Sequence, residues 1–440
     1  MLKNFKITRN PYLLFFPFLV ILIIYVLSKP STGEGDEARY LMFAHNLTHG
    51  FYSPPIPDIN LTNGPGYPII LMPFVAMGAP LIVMTLLNAF FYYFSIIFLY
   101  KALQEIVSYK VTLIFSFFWA CYYIAYQNIT GVMTEPFTYL LISILVFSLI
   151  KAFKSENFNG GKRYIVLAGF ILGYIVLTKI AFMYVLIAMI LGSSLFWLFH
   201  REVTNYKKGS IVSLIGLATV LPYMIYAYHL TGRMFYWNTN TGASMYWSSN
   251  PFPDEYGDWK QDLKQGTVDF GNYNIPGSGD SLIAHHQRDY EVVFHSKDFT
   301  QSGMAPDDAF KKITMDNIKN HPLKYLQNCV YNAGRLMFHY PFSYAVQRPK
   351  VLLVFPVQGI IFTLILFCLI PTLINWRKLI YPLKFMLFLT LLYLGLSTMV
   401  TAYVRMFTII VPILLFWFAY IFDNTVKIKL HFNQKNEAIA

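Results

Sequence analysis

Long apolar segments alternate with short polar ones along most of this 440-residue chain. A run of about twenty residues with few charges has the length and composition of a membrane-spanning helix. Ten segments fit this description: residues 11–28, 81–100, 109–126, 136–150, 164–180, 182–199, 210–230, 351–373, 383–400 and 406–423. A further apolar run, residues 67–78, is too short to cross and predicts a half-buried or re-entrant helix at the outer surface. The pattern predicts an all-α polytopic membrane protein with about ten transmembrane helices and one outer soluble segment.

The composition agrees with a lipid environment, since only 13% of the residues are charged and 56% are hydrophobic. Soluble globular proteins carry about 25% charged residues. The net charge of +12 raises the question of nucleic acid binding, but between residues 232 and 350 twelve basic residues balance twelve acidic ones. The excess therefore lies in the membrane part, in short loops where basic residues set the orientation of the chain. We expect no nucleic acid partner.

The distribution of basic residues predicts that both termini are cytoplasmic. With that orientation, 18 Lys and Arg residues fall on the cytoplasmic side, in segments 1–10, 101–110, 151–163, 200–209, 374–384 and 424–440. The short outer loops hold few, as the positive-inside rule requires. Residues 1–28 resemble a signal peptide but lack a small-residue cleavage site, which predicts an uncleaved first helix. The chain then divides into an N-terminal transmembrane domain, an outer segment, and C-terminal transmembrane helices with a cytoplasmic tail: residues 1–231, 232–350 and 351–440.

The outer segment carries its own helical pattern near its end. Residues 305–328 alternate charged and apolar positions as an amphipathic helix does, with a break at His321-Pro322. The next run, residues 330–342, contains Arg335 and predicts a stretch that lies along the membrane surface. The three cysteines have no metal-like spacing, and we interpret them as small hydrophobic residues.

Three carboxylates follow the first predicted span within four residues: Glu34, Asp36 and Glu37. The apolar positions after them recur at helical spacing, so Asp36 stands at the start of a predicted interfacial helix at the depth of lipid head groups. One interpretation is structural: Asp36 caps this helix and pairs with Arg39 three residues later. The other is catalytic, and the pattern of residues leaves both open.

Three further charged residues stand at the outer ends of predicted spans. Glu135 precedes Pro136, so its carboxylate either interacts only with the helix dipole or belongs to a site. Lys179 and Arg405 lie between apolar stretches, where each either extends to the interface or holds an anionic head group such as a phosphate. Two acids and two cations would then lie at one end of the bundle. We therefore hypothesise that they form an acid–base site that also binds phosphate.

These residues occur in motifs that resemble the family 39 type GT-C glycosyltransferases, which include protein O-mannosyltransferases and lipid A aminoarabinose transferases. Gly35-Asp36-Glu37-Ala38-Arg39-Tyr40 resembles the family's first-loop motif, and Thr134-Glu135-Pro136-Phe137 its second acidic position. Further short matches follow in the family's order, at residues 64–68, 232–251, 320–326 and 405–412. One difference stands out. The aminoarabinose transferases carry a Lys before the prolines of the second motif, where this chain has Thr62-Asn63.

The resemblance implies a GT-C fold and an inverting transfer of a sugar from a polyprenyl-phosphate donor to an acceptor hydroxyl, outside a bacterial inner (plasma) membrane. It implies that Asp36 acts as general base, with Glu37 and Glu135 as the other catalytic candidates. It leaves Arg39, Lys179 and Arg405 to bind the donor phosphate. The acceptor would be a glycan, a lipid or a protein of the cell envelope. No cofactor is certain, no metal ligands are assigned, and a divalent cation remains open.

Two other classes share some of these features. A transporter or flippase of lipid-linked glycans also needs outer charges and interfacial helices. However, we find no repeat between the two halves of the chain, and its acids cluster at the outer surface. A polymerase or ligase of another fold would share the spans but lack the Asp-Glu motif directly after the first span.

Overall fold

The computed structural model describes residues 10–154, 158–199, 204–259, 303–343, 350–400 and 402–424, with short pieces between 263 and 293. The helices are α1 Pro11–Leu14, α2 Phe16–Ser28, α3 Asp36–Thr48, α4 Gly66–Ala76, α5 Leu81–Gln104, α6 Tyr109–Ala120, α7 Tyr123–Tyr126, α8 Thr134–Lys154, α9 Phe158–Thr178, α10 Phe182–Phe199, α11 Thr204–Thr231, α12 Thr241–Ser248, α13 Met304–Asn320, α14 Pro322–Phe338, α15 Lys350–Ile374, α16 Tyr381–Met399, α17 Val404–Thr408 and α18 Val411–Asn424. A 3₁₀ turn spans Trp376–Lys378, and Leu263–Lys264 (β1) pairs antiparallel with Thr267–Val268 (β2).

The prediction of an all-α polytopic membrane protein is confirmed. Among the described residues, six helices are long and apolar enough to span a bilayer: Leu81–Gln104, Thr134–Lys154, Gly160–Thr178, Thr204–Thr231, Leu352–Ile374 and Tyr381–Met399. Four more apolar helices are shorter: Phe16–Ser28, Gly66–Ala76, Phe182–Leu195 and Val411–Asn424. The predicted segment 109–126 differs, because its helix ends at Ala120 and a separate turn, α7, begins at Tyr123.

Helix α8 lies at the centre of the bundle. It packs against α5 and α9, and 72% of its most apolar stretch is buried. Aromatic side chains fill the space beside it, where the Tyr139 ring meets Trp119 edge-on at 5.4 Å between centroids. By contrast, only 22% of the apolar stretch of α15 is buried. An apolar helix that is exposed on most of its surface is stable only where lipid covers it, so α15 forms part of the lipid-facing surface.

The loops sort to the two ends of the bundle as the alternation of spans predicts. At one end Glu105 pairs with Lys151 at 2.5 Å, and the Ser108 hydroxyl donates to Asp423 at 2.6 Å. At the other end the amide of Leu61 donates to the Thr239 hydroxyl at 3.0 Å, which joins the first loop to the outer segment. We call these the inner and outer ends. Which end faces the cytoplasm stays a prediction of the charge pattern.

The outer segment packs onto the outer end of the bundle. Helix α12 lies against α13, and their contact buries Tyr246, Trp247 and Phe310. The predicted break at His321-Pro322 is present, because α13 ends at Asn320 and α14 begins at Pro322. Proline suits the first position of a helix, since its missing N–H would have no partner there. Helix α14 runs on to Phe338, so residues from both predicted stretches share one helix.

A candidate active site at the outer end of the bundle

Asp36 is the first residue of α3, and its carboxylate faces two arginines instead of the helix backbone. Gly35 precedes it with φ 62°, a left-handed conformation that glycine adopts readily, and no side chain caps the helix. The Asp36 carboxylate contacts the Arg39 guanidinium one turn along α3. The structural interpretation is therefore half right: the pair with Arg39 is present, whereas the cap is not. The helix also buries Tyr40, Phe43 and Ala44, the apolar face that its spacing predicts.

Arg405 joins Asp36 to the second acidic residue. It lies in the first turn of α17, and its Nη1 atom is 2.7 Å from Asp36 Oδ2. Its Nε atom is 3.9 Å from Glu135 Oε1. Arg405 thus bridges a carboxylate of the first outer loop and a carboxylate of the central helix. Of its side chain, 34% stays exposed, so the guanidinium is reachable from outside the protein.

Glu135 is buried in the first turn of α8, with a side chain only 1% exposed. Its Oε1 atom accepts a hydrogen bond from Lys179 Nζ at 2.8 Å. Lys179 stands between α9 and α10, where the chain turns at the outer end, and it is 21% exposed. An ionised carboxylate this deeply buried needs a charged partner, and Lys179 supplies one. Neither residue acts as an isolated charge that extends to the interface.

The arginines decide the charge state of Asp36. Burial by itself would raise the pKa of the Asp36 carboxyl, but Arg405 and Arg39, in that order, hold it below its ordinary value. For Arg405, burial favours the neutral form, yet Glu135 and Asp36 together raise the pKa of the guanidinium. Asp36 is therefore ionised at neutral pH.

Glu37 points away from this cluster. Its Oε2 atom accepts hydrogen bonds from the Ser31 hydroxyl and from the amide of Val132, the latter at 2.7 Å. A side chain on Gly131 would begin 2.8 Å from Glu37 Oε1, so the carboxylate fits closely against that loop. Neighbouring residues of a helix project in different directions, which separates Glu37 from Asp36. Its contacts are those of a residue that braces the loop before Glu135.

Several residues that we did not select from the sequence complete the surroundings. The Asn63 side chain accepts from Arg39 Nε at 3.4 Å and donates to the Tyr40 hydroxyl at 3.3 Å. The Tyr40 hydroxyl is in turn 3.5 Å from Thr134 Oγ1. The family that this chain resembles has a Lys near the position of Asn63. The absence of that Lys here was the one feature of the sequence that pointed to this position. The amide orients Arg39 without adding charge.

Two glycines let the first outer loop approach the turn that carries Lys179. A Cβ on Gly64 would overlap the carbonyl of Leu177. A Cβ on Gly66 would lie 2.6 Å from Thr178 Oγ1 and 2.7 Å from its backbone nitrogen. The Tyr174 hydroxyl also donates to the carbonyl of Gly66 at 2.9 Å. The start of α4 and the end of α9 are thus in direct backbone contact.

A metal centre needs several ligand groups around one point. Within the described ranges, no three His, Cys, Asp or Glu side chains come together in such a group. The most buried of these carboxylates, Glu135, already has the Lys179 ammonium group at hydrogen-bond distance. The residues present fit a site for an anion better than a site for a divalent cation.

Comparisons with known proteins leave the family open. Neither the protein-family models nor the curated proteins include a match to this chain. Among solved structures, the chain is similar to the crystal structure of ArnT from Cupriavidus metallidurans bound to undecaprenyl phosphate. That likeness covers 93% of this chain and 77% of that chain, with 11% sequence identity and a TM-score of 0.40. A likeness this distant assigns neither a residue role nor a substrate here.

Proposed function

We propose that this protein is an inverting membrane glycosyltransferase of the GT-C type, which moves a sugar from a polyprenyl-phosphate donor to an acceptor hydroxyl. The observation that carries the proposal is the charged cluster at the outer end of the bundle. It consists of Asp36, Arg39, Glu135, Lys179 and Arg405. The order of the sequence motifs supports the same reaction class, and the bundle supports a substrate that arrives from the membrane.

Asp36 has the properties of a general base in this reaction. It is ionised, it stands at the outer surface, and its side chain is 23% exposed. The acceptor hydroxyl needs to lose its proton only as its oxygen bonds to the anomeric carbon, so a carboxylate with a low pKa is sufficient. At that moment the bond from the sugar to the phosphate breaks, and its electron pair leaves with the phosphate.

The cations supply the other half of the chemistry. Three of them, Arg39, Lys179 and Arg405, face two carboxylates, so the cluster carries one positive charge in excess. A sugar–phosphate diester carries one negative charge and gains another as the sugar departs. Cations placed beforehand at that oxygen stabilise the developing charge and lower the barrier. Arg405 is best placed, because its guanidinium already adjoins the proposed base.

Glu135 holds the cations in place. Its buried carboxylate bonds to Lys179 and lies near Arg405, so it fixes both relative to Asp36. Positioning of this kind is a large part of catalysis, because the reactants then meet in one productive geometry. The runner-up, a transporter or flippase of lipid-linked glycans, calls for charged groups along a path through the membrane. The cluster described here lies at one end of the bundle.

A transfer assay tests the proposal directly. Purified protein in lipid nanodiscs would be incubated with a panel of radiolabelled polyprenyl-phosphate sugars and with envelope lipids, glycans and proteins as acceptors. We expect transfer from at least one donor, with release of polyprenyl phosphate, and nearly abolished transfer by Asp36→Asn. Vesicles that contain the protein and a fluorescent lipid-linked glycan provide the opposing test. Movement of the glycan across the bilayer without sugar transfer would establish the runner-up and overturn the proposal.

A further inference from the structure

Helix α14 is built inside out compared with a helix of a soluble protein. Its polar residues Asn328, Asn332 and Arg335 are fully buried. On the opposite side Leu323 is 80% exposed and Val330 is 69% exposed. The helix lies across the outer ends of α16 and α17, so its polar face meets the ends of other helices. At these helix ends the polar side chains meet backbone carbonyl groups that have no partner within their own helix.

Two side chains of α14 bind the C-terminal end of α16. The Asn332 amide donates to the carbonyl of Thr398 at 3.0 Å. The Tyr325 hydroxyl donates to the carbonyl of Met399, also at 3.0 Å. The last four carbonyls of an α-helix have no partner within the helix. Asn332 and Tyr325 therefore act as a cap supplied by another element, and they fix the point where α16 stops.

The end of α16 leads directly into the candidate site. Val400 is extended, and the five-residue helix α17 begins at Val404. A helix this short cannot hold its own orientation in isolation. From the bundle side it is fixed by the Tyr139 hydroxyl, which lies 2.7 Å from Thr408 Oγ1. From the outer side the segment before it is fixed by α14. The direction of the Arg405 side chain depends on both.

We propose that Asn332 and Tyr325 are positioning residues for Arg405, which they orient through the end of α16. The proposal rests on the function proposed above, in which Arg405 holds the donor phosphate. Through these two side chains the outer segment takes part in phosphate binding without touching the phosphate. A loss of either hydrogen bond lets the end of α16 at Thr398 and Met399 shift, and the guanidinium leaves its place beside Asp36.

Asn328 provides a matched control on the same helix. It is as fully buried as Asn332 and one turn away from it. Its amide donates to the carbonyls of Ser248 and Asn250, at 3.0 and 2.9 Å, both within the outer segment. The change Asn328→Ala therefore removes the same chemical group from the same helix without releasing the end of α16. Asn332 also donates to the Ser248 hydroxyl at 3.1 Å and accepts from Arg335, so the comparison is repeated with Tyr325→Phe, which leaves both of those bonds in place.

The experiment measures binding of farnesyl phosphate, a short polyprenyl phosphate, to the full-length protein in nanodiscs. Calorimetry would be performed on wild type, Asn332→Ala, Asn328→Ala, Arg405→Ala and the double variant Asn332→Ala/Arg405→Ala. We expect Asn332→Ala to weaken binding by about 3- to 10-fold and Asn328→Ala by less than about two-fold. In the Arg405→Ala background, Asn332→Ala should have no further effect, because residues that act through one group are not additive. Tyr325→Phe removes a single hydroxyl and takes the place of Asn332→Ala if that variant does not fold.

The outcomes separate this inference from the function on which it rests. Equal losses in Asn332→Ala and Asn328→Ala would overturn the positioning role, as would a further loss in the double variant. Transfer activity and binding by the wild type would leave the proposed function standing in either case. If the wild type binds no farnesyl phosphate and transfers no sugar, the proposed function fails and the positioning role fails with it.

Discussion

Helix α8 has a cluster of opposite charges at each end, and the two clusters are built differently. At the inner end Glu105 lies between Lys151 and Lys154, which belong to one helix and are one turn apart. Lys154 is 61% exposed. At the outer end the charges come from four separate places in the chain, and the central carboxylate, Glu135, is 1% exposed.

The difference indicates which cluster lowers the stability of the fold and is therefore more readily explained by a function. A surface pair such as Glu105 with Lys154 forms wherever oppositely charged residues meet, and it contributes about 0–1 kcal/mol. A buried carboxylate with cations around it loses its hydration free energy, and the attraction to the cations does not reliably compensate for that loss. Both clusters carry one positive charge in excess, but only the outer one buries its central carboxylate while an arginine stays open to the outside, so the outer cluster is the less favourable one to form.

The first test asks which end faces the cytoplasm, and its effect is all or none. Single cysteines would be placed at Lys110, near the inner end, and at Met234, which is 73% exposed at the outer end. With the three natural cysteines replaced by Ser, we expect an impermeant maleimide to label intact cells at 234 and not at 110. The positive-inside rule gives this direction. Labelling at 110 alone would invert the whole arrangement.

The largest effect on activity is expected for Asp36→Asn. Asparagine keeps the shape of the side chain but accepts no proton, and general base catalysis contributes about 10²- to 10⁴-fold. We expect the transfer rate to fall by that factor, while the melting temperature changes little. Glu105→Gln makes the same chemical change at the inner end and should leave the rate unaltered. Normal turnover by Asp36→Asn, or loss of activity in Glu37→Gln alone, would remove Asp36 from its proposed role.

Lys179→Met tests the burial of the outer cluster. It leaves the Glu135 carboxylate buried with only the more distant Arg405, and an unpaired buried charge costs about 3–5 kcal/mol. We expect the free energy of unfolding to fall by an amount towards the lower end of that range, which a clear drop in the denaturation midpoint would show. Adding Glu135→Gln should recover much of the stability without restoring transfer. A Lys179→Met protein as stable as wild type would show that the pair contributes no more than a surface one.

Arg405→Ala should weaken use of the donor and change its dependence on pH. Hydrogen bonds to charged groups contribute about 1.5–3 kcal/mol each, so kcat/KM for the donor should fall about 10- to 100-fold. Arg405 also helps to hold the pKa of Asp36 below its ordinary value, and without it that pKa rises. Since the base must be ionised, the acid limb of the rate profile should move to higher pH. Lys154→Ala is the control at the inner end, with neither change expected.

The fold followed from the sequence wherever hydrophobic period and charge were the determinants. The start of α3 at Asp36, the break at Pro322 and the sorting of loops to two ends were all predicted correctly. The end of α6 at Ala120 was not, because the apolar pattern continues through Tyr122 and Tyr123 without any breaking residue. An apolar sequence pattern shows how long an apolar segment is, but it does not show where the helix ends and the chain changes direction.

The site was only partly accessible from the sequence. Charged residues at the ends of apolar segments marked Glu135, Lys179 and Arg405 individually. Their meeting with Asp36 depends on how helices pack, which local spacing does not encode. Glu37 was a case where a signal existed, because adjacent positions on a helix project in different directions. For Asn63 the sequence offered one signal, the absence of the family's Lys near this position, and for the Asn332 bond to Thr398 it offered none.

The close backbone contact at Gly64 and Gly66 affects which natural variants of this protein will be functional. Neither residue carries a group that could bind or react, yet a single methyl at either would force the first outer loop away from the turn that bears Lys179. Both positions should therefore be as intolerant of substitution as the acids themselves. A survey of variants that scored only loss of activity would rank two residues without side chains among the catalytic ones.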